Sequence, residues 1–387
     1  MRRGAATSLL RRRGEPAPVT QIELFFDLIF VFAVTQISEF LRAHMTAMGG
    51  FQGLILFGAM WWSWVYTSWV TNWIDPERRP VKLLMLGLMF CALLLAASVP
   101  EAFGARGLGF ALGLSAMNLG RSGFMLWALK RHDAINYRNF QRIFIWLAVT
   151  AVLWVAGGLV RESLRIWLWL AALLVDFSGP ANGFYVPGLG RSLTSDWQVD
   201  ARHMAERCAA FVLIALGESI TVTGASFSEL RWGDATFAAT CCALLSAGCL
   251  WWVYFDDAAE RTAHAFAHAK DVGRVARAGY TYVHGLLVAA IIIMAAGNAF
   301  VLQMPMEKPK LGQGLMLLGG PAAFLLGNSI FRRLLHPRFP VSHIYGLAVL
   351  ALFALLWPWC DMLALSAGGL AALLVVVVIS YKLAAQA

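Results

Sequence analysis

Charge is what this chain has least of. Of 387 residues only 14% are Asp, Glu, Lys or Arg, against about 25% in an ordinary soluble domain. That shortage excludes a conventional soluble enzyme or binding module. The six cysteines are Cys91, Cys208, Cys241, Cys242, Cys249 and Cys360, and they show neither zinc spacing nor a CxxC pair. Five fall in apolar runs and Cys360 lies at a tight turn, so they read as small core hydrophobes. There is no Walker A loop and no GxSxG elbow, which argues against ATP-driven transport by this chain alone and against a hydrolase nucleophile. The first sixteen residues, MRRGAATSLLRRRGEP, lack the apolar segment of a secretory signal.

What is present is hydrocarbon. The chain is 59% hydrophobic with 16 Trp and 25 Phe, and it repeats apolar runs long enough to cross a bilayer core of about 30 Å. The expected fold is an all-α polytopic integral membrane protein. Twelve transmembrane helices are expected near 20–41, 51–74, 83–100, 107–129, 141–160, 164–178, 205–224, 235–255, 279–301, 312–332, 341–357 and 361–381.

The net charge of +9 does not form a nucleic-acid footprint, because the basic residues sit in short loops between apolar runs. Arg78, Arg79, Lys82, Lys130, Arg131, Arg138 and Arg142 fall on one side in the first half. Arg191, Arg202, Arg207, Arg261, Lys270, Arg274, Arg277, Arg332, Arg333 and Arg338 fall on the same side later. Only Arg42, Arg106, Arg161, Arg165, Arg231, Lys308 and Lys310 fall opposite. The positive-inside rule then puts both termini in the cytoplasm. Residues 1–18, with Arg2, Arg3, Arg11, Arg12 and Arg13, read as a basic arm resting on lipid headgroups.

The two halves echo each other. Glu23 opens the first helix and Glu206 the seventh; Gln36 and Glu218 lie at similar depths in them. Trp64-Val65-Tyr66 matches Trp252-Val253-Tyr254, Glu101-Ala102-Phe103 matches Asn298-Ala299-Phe300, and Leu119-Gly120-Arg121-Ser122 matches Leu326-Gly327-Asn328-Ser329. The order suggests two six-helix repeats, 19–178 and 205–382, in the same orientation. The Gly- and Pro-rich stretch 179–204 is a cytoplasmic linker between them.

Acids inside apolar segments are expensive, at roughly 2.5–3.5 kcal/mol each on insertion scales. Glu23 and Asp27 lie one turn apart on one helix face, with Gln36 and Ser38 further along. At that spacing two carboxylates repel, so one should be protonated or a cation should lie between them. The functional reading is a proton or cation site; the structural one is a buried network with Arg or backbone. Glu218, behind Gly217, sits near mid-bilayer, where transporters place substrates. Arg121 is too deep to snorkel and calls for an acid partner, Asp27 or Glu218. His203 and Glu206 are spaced i,i+3 and could share a metal with His284, but the spacing alone is unspecific; a dipole-favoured first-turn Glu is the plainer reading. Asp176 and the pair Asp256 and Asp257 read as solvated helix ends, and His264 and His268 as a solvated amphipathic stretch. The Trp61, Trp62, Trp64, Trp69 and Trp73 run reads as packing and interface.

The motifs ELFFDLIFVFAVTQIS, AERCAAFVLIALGES, WWVYFD and YTYVH resemble those of the bacterial low temperature requirement protein A (LtrA) family, over about residues 18–380. The resemblance implies a multi-spanning inner-membrane protein. It marks Glu23, Asp27, Glu206, Glu218 and His284 as characteristic polar positions and assigns them no roles. The opening motif also looks like the Phe-Ser-Asp signature of a potassium channel family built of twice six helices, although Phe25-Phe26-Asp27 lacks the Ser. The expected function is a secondary transporter or proton- or cation-coupled permease without a cofactor, acting on a small ion or molecule, with its site among Asp27, Glu218, Arg121, Glu23, Glu206, Gln36 and His284. The alternatives are a cation channel, or a membrane-embedded enzyme acting on lipid or isoprenoid with His203, Glu206 and His284 together.

Overall fold

Long apolar segments satisfy their backbone polar groups internally by forming helices, and the described residues of the computed structural model are mostly helical. It describes residues 9–11, 17–193, 196, 199–230, 232–255, 272–334 and 339–384. Among the described residues twelve long helices follow in order: α1 Gln21–Ala43, α2 Ala47–Trp73, α3 Arg79–Ser98, α4 Gly107–Leu129, α5 Ala134–Leu159, α6 Glu162–Ala181, α7 Ala201–Glu229, α8 Asp234–Phe255, α9 Gly273–Gln303, α10 Leu311–Arg333, α11 Val341–Leu356 and α12 Met362–Ala384. Among the described residues the extended pairings are two isolated bridges, Leu10 with Ile74 and Val186 with Gly190. The expected Asp256, Asp257, His264 and His268 features, and Arg2, Arg3, Arg12 and Arg13 of the arm, lie outside the described residues.

Ten of the twelve helices are long and apolar enough to cross a membrane. The other two, α2 and α4, are lowered on average by their composition. Helix α2 has Trp, Tyr, Thr and Ser in place of aliphatic side chains but no ionisable residue, and α4 contains Asn118, Arg121 and several glycines. With 27 and 23 residues they are about 40 and 35 Å long.

Contacts divide the chain into two units. The first comprises Met1–Ile37, Phe51–Arg207 and Ala269–Ala276; the second comprises Ser38–Gly50, Cys208–His268 and Arg277–Ala387. Helices α1 and α7 each pass from one unit into the other along their length.

Within the first unit, helices meet through small residues, as expected where lipid provides no hydrophobic drive between helices. A Cβ on Gly158 of α5 would lie 2.9 Å from Leu108 Cα of α4, and one on Gly113 of α4 would lie 3.0 Å from Cys91 O of α3. Trp154, Trp169 and Phe110 fill the space around these crossings. Arg165, at the start of α6, is 7% exposed. It donates to the carbonyls of Ala102 (2.8 Å), Gly104 (2.7 Å), Gly157 (3.0 Å) and Val160 (3.1 Å). These include carbonyls at the end of α5 that have no helical partner, so Arg165 acts as a shared cap.

The linker is shorter than expected, because α6 continues to Ala181 and α7 starts at Ala201. Asp176, expected as a solvated helix end, is therefore buried and accepts from Trp154 Nε1 at 3.1 Å. In the linker Gly183 and Phe184 both have positive φ (61° and 47°). The turn directs Phe184 into a cluster with Tyr66 and Trp146. Arg142 fixes the same loop by donating to Leu189 O and to Asn139 Oδ1, the latter at 2.6 Å.

Within the second unit the same device recurs. A Cβ on Gly320 of α10 would meet Met294 and Ala290 of α9, and one on Gly346 of α11 would meet Val376 and Ala372 of α12. Residues Arg277–Val283 of α9 form a π-helical turn.

Candidate functional site

Helix α1 turns its apolar residues outward and its acids inward. Leu24, Phe25 and Leu28 are 46%, 50% and 57% exposed, whereas Glu23 and Asp27 are 0% and 1% exposed. Lipid is the solvent for the outer stripe, and a polar network receives the inner one.

Glu23 first caps its own helix. Its Oε2 accepts from Thr20 N–H and Thr20 Oγ1, both at 2.8 Å. Thr20-Gln21-Ile22-Glu23 is thus the Thr-x-x-Glu pattern of a capping box, a signal readable in the sequence. The other oxygen, Oε1, lies 2.8 Å from His203 Nε2 and 4.0 Å from Arg207 Nη1. Asp27 Oδ1 accepts from Arg207 Nη2 at 2.7 Å and from Trp64 Nε1 at 2.8 Å. Arg207 Nη2 also reaches Ser68 Oγ at 3.3 Å. The cation that the Glu23–Asp27 spacing calls for is therefore Arg207, counted from the sequence only among the basic residues of the cytoplasmic side.

Both contacts between α1 and α7 have the same sequence separation, 180 residues. Glu23 pairs with His203 and, one turn on, Asp27 pairs with Arg207. In this stretch the two helices run parallel and in register. The start of α7 is fixed by Asp200, whose Oδ1 accepts from Arg202 N and His203 N at 3.0 and 3.2 Å. That is a capping Asp. Asn72 at the end of α2 exchanges two bonds with the Asp200 backbone, 2.9 and 3.0 Å. Arg207, Trp64, Ser68, Asn72 and Asp200 are among the members that the sequence reading did not assign to the site.

Arg11 joins the cluster from the N-terminal side. It donates to Thr71 O (2.9 Å) and Ile74 O (3.2 Å) and lies 3.5 Å from Glu23 Oε2. Its backbone N–H bonds Trp73 O at 2.9 Å. Residues 9–11 are thus seated on the end of α2. Burial lowers the Arg11 pKa from its ordinary value, and the Glu23 carboxylate opposes that. Two acids, Glu23 and Asp27, face two guanidinium groups, Arg11 and Arg207, and the Asp200 carboxylate also acts on Arg11.

The two acids are not equivalent. Every oxygen of Glu23 has a partner. Asp27 Oδ2 is buried with no hydrogen bond among the described residues, as are Nε and Nη1 of Arg207. Leaving such groups unmade costs about 1–3 kcal/mol each, more when charged.

The remaining expected site residues fall elsewhere. Arg121 does not bond Asp27 or Glu218. It faces α2 and donates to Ser63 O (3.0 Å), Thr67 Oγ1 (3.0 Å) and Asn118 Oδ1 (2.9 Å), with Tyr66 under its guanidinium at 5.2 Å. Asp27 is already occupied by Arg207; neutral oxygens take the hydrogen bonds of Arg121, and Asp176 is the acid whose charge acts on it. Glu206 turns outward and pairs with Arg202 at 2.9 Å, its side chain 39% exposed. Gln36 is half-buried on α1. In the second unit Glu218 is 1% exposed. His284, also there, has both ring nitrogens engaged, by Tyr254 OH at 2.8 Å and Gly279 O at 2.9 Å. Among the described residues no three His, Cys, Asp or Glu side chains are placed to hold a metal ion, so the His203, Glu206 and His284 grouping does not form one.

Fold and site together define a polytopic helical membrane protein that buries a carboxylate–guanidinium cluster at the starts of two parallel helices. The chain belongs to the bacterial low temperature requirement A protein (LtrA) family, whose model matches residues 18–380. An uncharacterized protein of Rhizobium meliloti (strain 1021) is 38% identical over 360 residues, covering 93% of this chain and 88% of that protein. No solved structure matches the chain.

Proposed function

We propose that this protein is a secondary transporter, a proton- or cation-coupled permease of the bacterial inner membrane, with Asp27 as its coupling group. The observation that carries the reading is the half-used Asp27–Arg207 pair. Asp27 has a free buried acceptor, Oδ2, and Arg207 has two buried donors with no hydrogen bond among the described residues. A proton or small cation arriving at Oδ2 weakens the hold of Asp27 on Arg207. Glu23 Oε1, 4.0 Å from Arg207 Nη1, is the alternative partner for the released guanidinium. Exchange of Arg207 between the two acids alters the α1–α7 seam, and that is the element through which binding would bias a conformational change.

In this reading the chain is two six-helix repeats, 19–178 and 205–382, with both termini cytoplasmic. The parallel register of α1 and α7 supports equal orientation of the helices that open the halves. Glu218, at a depth like that of Gln36, is the membrane-depth acid of the second half, and Arg121 and His284 are polar positions on the helices concerned. Glu23 and His203 anchor the cluster.

The test is flux in proteoliposomes under an imposed pH or cation gradient. Asp27→Asn is expected to abolish gradient-driven flux and Glu218→Gln to reduce it. Full flux in both variants would show that the site lies elsewhere. Unitary currents in planar bilayers would identify a channel instead.

A further inference from the structure

His203 is fully buried between two groups whose roles can be read from their other bonds. Its Nε2 lies 2.8 Å from Glu23 Oε1, and its Nδ1 lies 3.1 Å from Asn72 Nδ2. An isolated histidine leaves its proton position open. Here Asn72 removes the ambiguity. Asn72 Oδ1 accepts from Asp200 N–H at 3.0 Å and Asn72 Nδ2 donates to Asp200 O at 2.9 Å. Turning the amide over would set oxygen against carbonyl oxygen and N–H against N–H. The group facing His203 Nδ1 is therefore an N–H donor, and Nδ1 must accept.

Extending the transport reading, we propose that Asn72 is a positioning residue that holds His203 neutral with its proton on Nε2, making His203 and Asn72 a proton-sensitive latch between the end of α2 and the start of α7. In the latched form His203 donates to Glu23. A second proton can enter only at Nδ1, where it meets the Asn72 N–H. His203 and Asn72 then repel, and relief requires Asn72 to give up its two bonds to Asp200. The charged groups around the ring are Glu23 from α1, Arg207 one turn along α7, Asp200 at the cap, and Arg11 through Glu23. Glu23 keeps the added charge compensated, so proton uptake is met by movement of Asn72 and not by loss of the His203–Glu23 contact.

The latch is tested without transport, by nitrogen NMR of histidine-labelled full-length protein in nanodiscs, with His203 assigned by difference against His203→Gln. The expected wild-type spectrum shows His203 with bare Nδ1 and protonated Nε2. In Asn72→Asp an acceptor faces Nδ1, and the expected spectrum moves the proton onto Nδ1 or gives the imidazolium. In Asn72→Leu the two neutral tautomers mix. A wild-type His203 protonated at Nδ1, or an unchanged tautomer in both Asn72 variants, overturns the proposal. Because the readout is spectroscopic, a protein that shows no flux but the expected tautomer would refute the transport reading alone.

Discussion

Neutralising Asp27 should destabilise the protein far more than removing the whole ion pair. Asp27 and Arg207 meet at 2.7 Å with both side chains at most 1% exposed. Asp27→Asn keeps an oxygen for the Trp64 indole, which bonds Asp27 Oδ1 at 2.8 Å, so the change is mainly one of charge. It leaves a buried guanidinium whose nearest remaining acid is Glu23 at 4.0 Å. Breaking one side of a buried pair costs about 3–5 kcal/mol, or roughly two to four powers of ten in the folding constant. Arg207→Met strands Asp27 in the same way. The double variant Asp27→Leu/Arg207→Met removes both charges together. Replacing buried pairs by apolar residues is often neutral or stabilising by about 1–4 kcal/mol. Asp27→Leu strands the guanidinium as Asp27→Asn does, so unfolding of wild type, Asp27→Leu, Arg207→Met and the double variant in nanodiscs gives a double-mutant cycle with a coupling of several kcal/mol. Single variants each within about 0.5 kcal/mol of wild type, adding without coupling, would refute the pairing.

Two further outcomes test the packing of the first unit. Arg165→Lys cannot fork to the carbonyls of Ala102, Gly104 and Gly157 at once, and the expected loss is about 2–3 kcal/mol in thermal or denaturant unfolding. Wild-type stability would mean that the carbonyls find other donors at no cost. Gly158→Ala places a methyl 2.9 Å from Leu108 Cα and 3.1 Å from Gly107 O; both are backbone atoms that cannot step aside, so about 1–3 kcal/mol of overpacking is expected. A neutral result would mean that α4 and α5 are not that close.

The helices were legible because a bilayer imposes length and apolarity on each segment separately. Glu23 and Asp27 were legible as anomalies for the same reason. Their partner was not. Arg207 opens α7 among other polar residues, and nothing in its local sequence says that α7 lies beside α1. Arg121 was expected to bond Asp27 or Glu218; its hydrogen bonds go instead to three neutral oxygens beside the Tyr66 ring, and the acid whose charge acts on it is Asp176. Asp176 was misread because α6 runs on to Ala181, which carries its carboxylate into the packed interior. Asn72 and Asp200 resemble ordinary helix-end residues in sequence. Their reciprocal bonds span 128 residues, and only the fold brings them together.

The decisive measurement is gradient-driven flux through the charge-free Asp27→Leu/Arg207→Met protein in liposomes, made on material whose unfolding matches wild type. If the pair is the coupling centre, this variant folds normally and carries no flux. Wild-type flux from the same preparation would reduce Asp27 and Arg207 to a structural pair and contradict the proposed role.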